Sequence, residues 1–215
     1  MKPKAIVFDA YGTLFDVNSA AEKCKNKIGS KWENFANYWR TTQLEYTWLR
    51  SLMKRHKDFW QVTEDSLDKS MKVFGINMGM KNDLLSLYKV LSPYPEVREV
   101  LVNLKKKNFK LAILSNGTLD LLNELVESNK LNNLFDDLFS IEEVKIYKPD
   151  PRVYELPVKK YRINSGEITF LSANTWDVSG GGNFGYNSIW VNTVSYTHLR
   201  AHETSLHLVC RLLLE

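Results

Sequence analysis

Polar residues able to do chemistry fall at the ends of short apolar runs. The run 4–8 stops at Asp9, and Thr13 follows in the next turn. The run 109–114 stops at Ser115 and Asn116. The run 168–171 stops at Ser172, with Asn174 and Asp177 just beyond. Lys148 lies in a loop ahead of Pro151, and Tyr154 is one turn into the helix expected to start there. Together they offer a carboxylate that can act as a nucleophile, hydroxyls and amides to orient it, and an ammonium to balance its charge. A second carboxylate is at hand for a water or a proton. Each piece alone has a plainer reading. Asp9 could end a turn, Ser115 and Asn116 could form one, Lys148 could be solvated, and 172–177 could cap a helix. Their joint occurrence, in chain order, at four separate strand ends or loops, points to one site.

Such a site needs strands side by side, because in open parallel sheets ligands sit beyond the carboxyl ends of the strands. Residues 4–8, 109–114, 138–141, 168–171 and 188–191 read as strands, the first short, apolar and β-branched as a buried strand should be. Between them, 96–107, 119–128 and a segment from Pro151 read as helices, with Asp150 as N-cap and Pro151 at the first helical position. This alternation predicts a parallel sheet covered on both faces. The stretch 18–91 is different. Trp32, Phe35, Ala36, Trp39, Tyr46, Leu49 and Met53 recur at three- and four-residue spacing, which predicts one long helix with those residues on its buried side. Further helices are expected over 63–74 and 81–91, before Pro93 and Pro95 punctuate the chain. The expected architecture is α/β. A Rossmann-like parallel sheet forms a core from 1–16 and 93–193, with a helical cap inserted over 17–92. Two places resist it. Pro157 falls inside the helix from Pro151, at a cost of about 3 kcal/mol. Gly180, Gly181 and Gly182 weaken the helix expected after Asp177.

Composition excludes several classes. With 215 residues, 44% hydrophobic and 12% aromatic, the chain can bury a full core and is not disordered. Two cysteines, Cys24 and Cys210, exclude a disulfide scaffold and a Cys-rich zinc module, so a reducing, cytoplasmic setting is expected. No apolar stretch approaches the roughly 18 residues of a membrane span. The basic N-terminal stretch is too short for a signal peptide and contains Asp9. The net charge of +4 comes with no basic face interleaved with aromatics. Neither nucleic acid nor membrane is expected as a partner.

FDAYGTLFD (8–16), LSNG (114–117), YKPDPRVYEL (147–156) and LSANTWD (171–177) resemble the four motifs of the haloacid dehalogenase superfamily. WRTTQLEYTWLRSLM (39–53) and FGYNSIWVN (184–192) resemble its L-2-haloacid dehalogenase branch, and the resemblance covers about 3–193. Most of the superfamily hydrolyses phosphate esters, with magnesium and a second Asp two residues after the nucleophile. Here that position is Tyr11, which cannot be the carboxylic acid that protonates a leaving alcohol. A halide leaves without a proton.

The resemblance therefore implies hydrolytic dehalogenation of (S)-2-haloalkanoic acids to (R)-2-hydroxyalkanoic acids, through an ester on Asp9, with no metal and no cofactor. Thr13, Lys148 and Ser172 would orient and support Asp9. Asp177, with Asn174, would handle the hydrolytic water, and Tyr154 would bond within the Lys148 cluster. Ser115 and the backbone N–H groups of Tyr11 and Asn116 would hold the substrate carboxylate, beside Ala10. Arg40 and Asn116 would receive the halide. Arg40 shares its helix face with Gln43 and Leu44. Tyr11, Leu44, Phe59 and Trp176 would wall the substituent. The resemblance also implies a homodimer formed through the aromatic-rich helical region. A phosphatase or other hydrolase of the superfamily, or an inactive remnant, are the alternatives.

Three features depart from the branch. Ala173 stands where a serine is usual. Pro157 replaces a helix former near Tyr154 and could tilt it. The tail 194–215, with His198, His202 and His207, reads as frame-shifted or adapter-derived read-through and is assigned no function.

Overall fold

The computed structural model describes residues 3–193. The tail 194–215, with its three histidines and Cys210, lies outside the described residues.

Five strands form the sheet: β1 (Ala5–Phe8), β2 (Lys110–Ser115), β3 (Asp137–Ser140), β4 (Ile168–Ser172) and β5 (Asn187–Trp190). All pair in parallel, in the order β3-β2-β1-β4-β5. β1 is central and wholly buried, as its unbroken Ala-Ile-Val-Phe sequence requires. Phe8 is in register with Ile113 on one side and Leu171 on the other, so the strands end level with one another. Helices α6 (Val97–Lys106), α7 (Leu119–Ser128), α8 (Pro151–Tyr161) and α9 (Thr175–Phe184) make the crossovers. From β1 the chain steps outward to β2 and β3, then returns across the sheet to β4 and β5. Right-handed crossovers then put α6 and α7 on one face and α8 and α9 on the other. The step changes direction between β1 and β4, which opens a crevice at their carboxyl ends.

Between β1 and α6 the chain is helical: α1 (Ser19–Lys23), α2 (Lys25–Ile28), α3 (Trp32–Leu52), α4 (Phe59–Phe74) and α5 (Lys81–Lys89). No strand occurs among the described residues of this insertion. Asp58 caps α4 by accepting from the Gln61 N–H, and Gly75 ends it in the left-handed conformation.

The long helix is where expected, and Phe35, Ala36 and Trp39 lie on its buried side as their spacing predicts, but its C-terminal end departs from the pattern. Phe35, Ala36, Trp39, Thr42, Gln43 and Thr47 are buried, while Leu49 and Met53 are 49% and 59% exposed. The buried face is centred on a polar residue, Gln43, and six residues further on Leu49 has rotated about 120° away from it.

Neither anticipated interruption breaks its helix. α9 runs unbroken through its three glycines. A Cβ at Gly181 would lie 2.8 Å from both the Phe170 ring and the Ser188 hydroxyl, so the helix can rest on β4 and β5 only with glycine there. That close packing outweighs the propensity cost of about 1 kcal/mol per glycine. α8 likewise continues through the buried Pro157, and Tyr154 is fully buried.

Candidate active site

Asp9 is the first residue past β1, and its N–H still donates to the Leu171 carbonyl at 2.9 Å. The chain then turns sharply, with the N–H groups of Thr13, Leu14 and Phe15 all directed at the Ala10 carbonyl. The turn brings the Thr13 hydroxyl back to Asp9 Oδ2 at 3.0 Å. From the end of β4, Ser172 Oγ stands 3.4 Å from the same oxygen and Asn174 Nδ2 donates to it at 2.8 Å. Asn174 is at the N-cap of α9 but makes no side-chain capping bond. Its amide serves Asp9 and the Tyr11 carbonyl instead.

Lys148 supplies the charge. Its side chain is 1% exposed, and Nζ lies 3.1 Å from Asp9 Oδ1 and 2.8 Å from Asp177 Oδ2. Tyr154 donates to Asp177 Oδ1 at 2.7 Å. The Lys148 N–H donates to Asn116 Oδ1 at 3.1 Å, which ties the lysine loop to the end of β2. Burial alone would lower the Lys148 pKa, but the carboxylates of Asp177 and Asp9 more than offset it and the net direction is up. The ammonium therefore stays charged. Burial pushes Asp177 up to about 6, with Lys148 opposing and Asp9 adding to the rise. Burial and the neighbouring Asp177 also push Tyr154 up, so it remains a neutral donor.

Above this cluster, Tyr11 stacks on Tyr88 with ring centroids 5.7 Å apart and packs on Phe59 at 5.0 Å. A Cβ at Gly117 would lie 2.9 Å from the Tyr11 ring, so glycine is required there. Arg40 reaches down from α3 and donates to the Tyr11 carbonyl at 3.2 Å.

Asp9, Thr13, Lys148, Tyr154, Ser172, Asn174 and Asp177 thus form one hydrogen-bonded group. Ser115 is fully buried at the end of β2, where its hydroxyl accepts the Gly117 N–H at 3.1 Å rather than bonding to Asp9. Phe59 joins Tyr11, whereas Leu44 is half-buried on α3 and Trp176 packs edge-on against Trp48 at 5.5 Å. A cleft of about 910 Å³ between the insertion and the sheet domain is lined by Trp48, Ser51, His56, Tyr147 and Lys148, among others. Gln43, Thr63 and Tyr88 form a buried polar cluster behind Arg40 that sequence reasoning missed. Only the Arg40–Gln43 spacing signals it, because Thr63 and Tyr88 come from other helices.

A parallel sheet with a buried, lysine-paired aspartate past its central strand, beneath a helical insertion, defines a class of hydrolase. The chain belongs to the haloacid dehalogenase-like hydrolases, whose family model matches residues 3–185. It is 43% identical over 194 residues to (S)-2-haloacid dehalogenase 1 of Pseudomonas sp. (strain CBS-3), covering 89% of this chain and 86% of that one. To (S)-2-haloacid dehalogenase 4A of Burkholderia cepacia it is 41% identical over 191 residues, covering 88% and 83%. The fold matches the L-2-haloacid dehalogenase of Xanthobacter autotrophicus, solved with chloropropionic acid covalently bound. That match has a TM-score of 0.83 at 38% identity, over 90% of this chain and 79% of that one.

Proposed function

We propose that this enzyme hydrolyses (S)-2-haloalkanoic acids to (R)-2-hydroxyalkanoic acids and halide. The observation that carries this is the unequal loading of the Asp9 carboxylate. Oδ2 faces Thr13, Ser172 and Asn174, while Oδ1 faces Lys148. Oδ1 thus keeps a lone pair for attack, with the ammonium beside it in the role that a metal cation plays in phosphate-ester chemistry. No metal or cofactor enters the scheme.

Oδ1 attacks the substrate Cα in line with the carbon–halogen bond. That bond breaks, the centre inverts, and the halide leaves toward Arg40 and Asn116. Ser115 and the backbone N–H groups of Tyr11 and Asn116 hold the substrate carboxylate, with Ala10 adjoining. Tyr11, Leu44, Phe59 and Trp176 enclose the substituent. A water positioned by Asn174 gives a proton to Asp177 and attacks the carboxyl carbon of the Asp9 ester. The ester C–O bond on the enzyme side breaks, the departing alkoxide takes the proton back from Asp177, and the water's second proton leaves the new Asp9 carboxyl group for solvent, which regenerates the carboxylate. Attack at that carbon leaves a single inversion overall.

The same proposal divides the chain into a core of 1–16 and 93–193 and a cap of 17–92, and sets the enzyme in the cytoplasm as a homodimer. Leu49, Leu52 and Met53, all exposed at the end of α3, support a contact between copies there. Among the described residues, no helix is long and apolar enough to cross a membrane.

Chloride release from (S)- and (R)-2-chloropropionate, with and without EDTA, tests the reading. Release from the (S) acid alone, undiminished by EDTA, is expected. A strict magnesium requirement, or faster phosphate-ester hydrolysis, would overturn it in favour of a phosphatase.

A further inference from the structure

The Arg40 guanidinium is held at two points. Nη2 donates to the Tyr11 carbonyl at 3.2 Å, and Nη1 donates to Gln43 Oε1 at 2.9 Å. Gln43 is one turn along α3 and only 1% exposed. A buried amide is costly unless its polar atoms are paired, and here each is. Nε2 donates to Thr63 Oγ1 at 2.7 Å and to the Tyr88 hydroxyl at 3.0 Å. Thr63 commits its own proton to the Phe59 carbonyl at 2.7 Å. Thr63 can therefore only accept from Gln43, so the amide nitrogen must face α4 and the amide oxygen must face Arg40. A backbone carbonyl on α4 thus sets the direction of a side chain on α3. Tyr88, from α5, completes the cluster, its ring stacked on Tyr11 at an interplanar angle of 13°.

We infer that Gln43 is a positioning residue for Arg40. It holds the guanidinium in the orientation that receives the departing halide, and Thr63 and Tyr88 fix its own orientation. The inference rests on the dehalogenase reading above. Arginine binds through a planar fork of five donors, so its usefulness depends on the fork's plane. With Nη1 anchored to Gln43 and Nη2 to Tyr11, the plane is set and the remaining N–H groups keep a fixed aim. Without Gln43 the guanidinium keeps its charge but can rotate about its stem. Chloride, the more basic and more strongly hydrogen-bonded leaving group, should suffer more from that than bromide.

The test is Gln43→Met, close in volume and unable to make these bonds. The bromide product-inhibition constant is expected to rise about tenfold. The kcat for (S)-2-chloropropionate should fall more than that for (S)-2-bromopropionate, while decay of the preformed ester keeps its wild-type rate. A merely structural role would lower thermal stability and slow both substrates equally. Thr63→Val keeps the branched shape and removes one partner of Gln43 without touching Arg40. It should move the same readouts the same way by less, and it decides the matter if Gln43→Met does not fold. A folded variant with wild-type bromide inhibition and an unchanged chloride-to-bromide ratio would overturn the role of Gln43. A wild-type enzyme that releases no halide would instead overturn the dehalogenase reading.

Discussion

Asp9 and Asp177 share one ammonium, and their environments separate their tasks. Asp9 Oδ2 is taken up by neutral donors from three positions, which leaves Oδ1 and its lysine for the substrate. Asp9→Asn should keep the fold and lower turnover on the order of 10⁴-fold or more. A single turnover in ¹⁸O water should put the label in Asp9. Label found first in the hydroxy acid would mean direct attack by water. Asp177 has the other task, and burial has pushed it up to about 6. Hydrolysis of the ester should therefore be level above that pH and fall about tenfold per unit below it, read by quenched single-turnover experiments. Stability has the opposite sign. The folded pKa lies above the unfolded value of 3.8, so the cost of ionising Asp177 is absent below about 4 and complete above about 6. Acidification across that window should relieve this one contribution while it stops the chemistry.

At the scale of elements, α9 shows packing overriding propensity. Gly181→Ala would suit an isolated helix better, yet here its methyl meets Phe170 and Ser188 at 2.8 Å. It should destabilise the protein by about 1–3 kcal/mol in a denaturant titration. A gain in stability would show that α9 does not rest against β4 as described. β1, β2 and β4 were legible because each is an apolar run closed by a polar residue, and α7 matches its sequence pattern from Leu119 to Ser128. The nucleophile cluster was legible for the same reason, since Asp9, Ser172 and Asn174 are what stops the runs. On α3 the burial of Phe35, Ala36 and Trp39 was legible and that of Gln43 was not, because it depends on Thr63 and Tyr88 arriving from 20 and 45 residues away. Local spacing carries no trace of partners brought in by tertiary packing, and Pro157 and the α9 glycines mislead for the same reason.

At the scale of the molecule, specific polar contacts fasten the insertion to the sheet domain. The Tyr147 N–H donates to the Ser51 hydroxyl at 3.2 Å, its own hydroxyl donates to the Lys57 carbonyl at 2.6 Å, and His56 lies 3.0 Å from Glu142. The end of α3 beside this seam leaves Leu52 80% exposed. In the proposed homodimer that surface is the contact, so Leu52→Glu should sediment as a monomer where the parent chain sediments as a dimer. A parent chain that is already monomeric would remove the dimer from the proposal. Tyr11 spans the same divide from within. Its ring touches Phe59 and Tyr88 of the insertion and fits against a glycine at the end of β2. An aspartate in its place would bring the acid of a phosphatase, but it would leave a ring-sized void among groups shaped to that ring. Position 11 is thus held by volume as well as by chemistry. A carboxylate placed there would open a hole beside Gly117, Phe59 and Tyr88 and remove the ring that joins the two halves of the molecule from within.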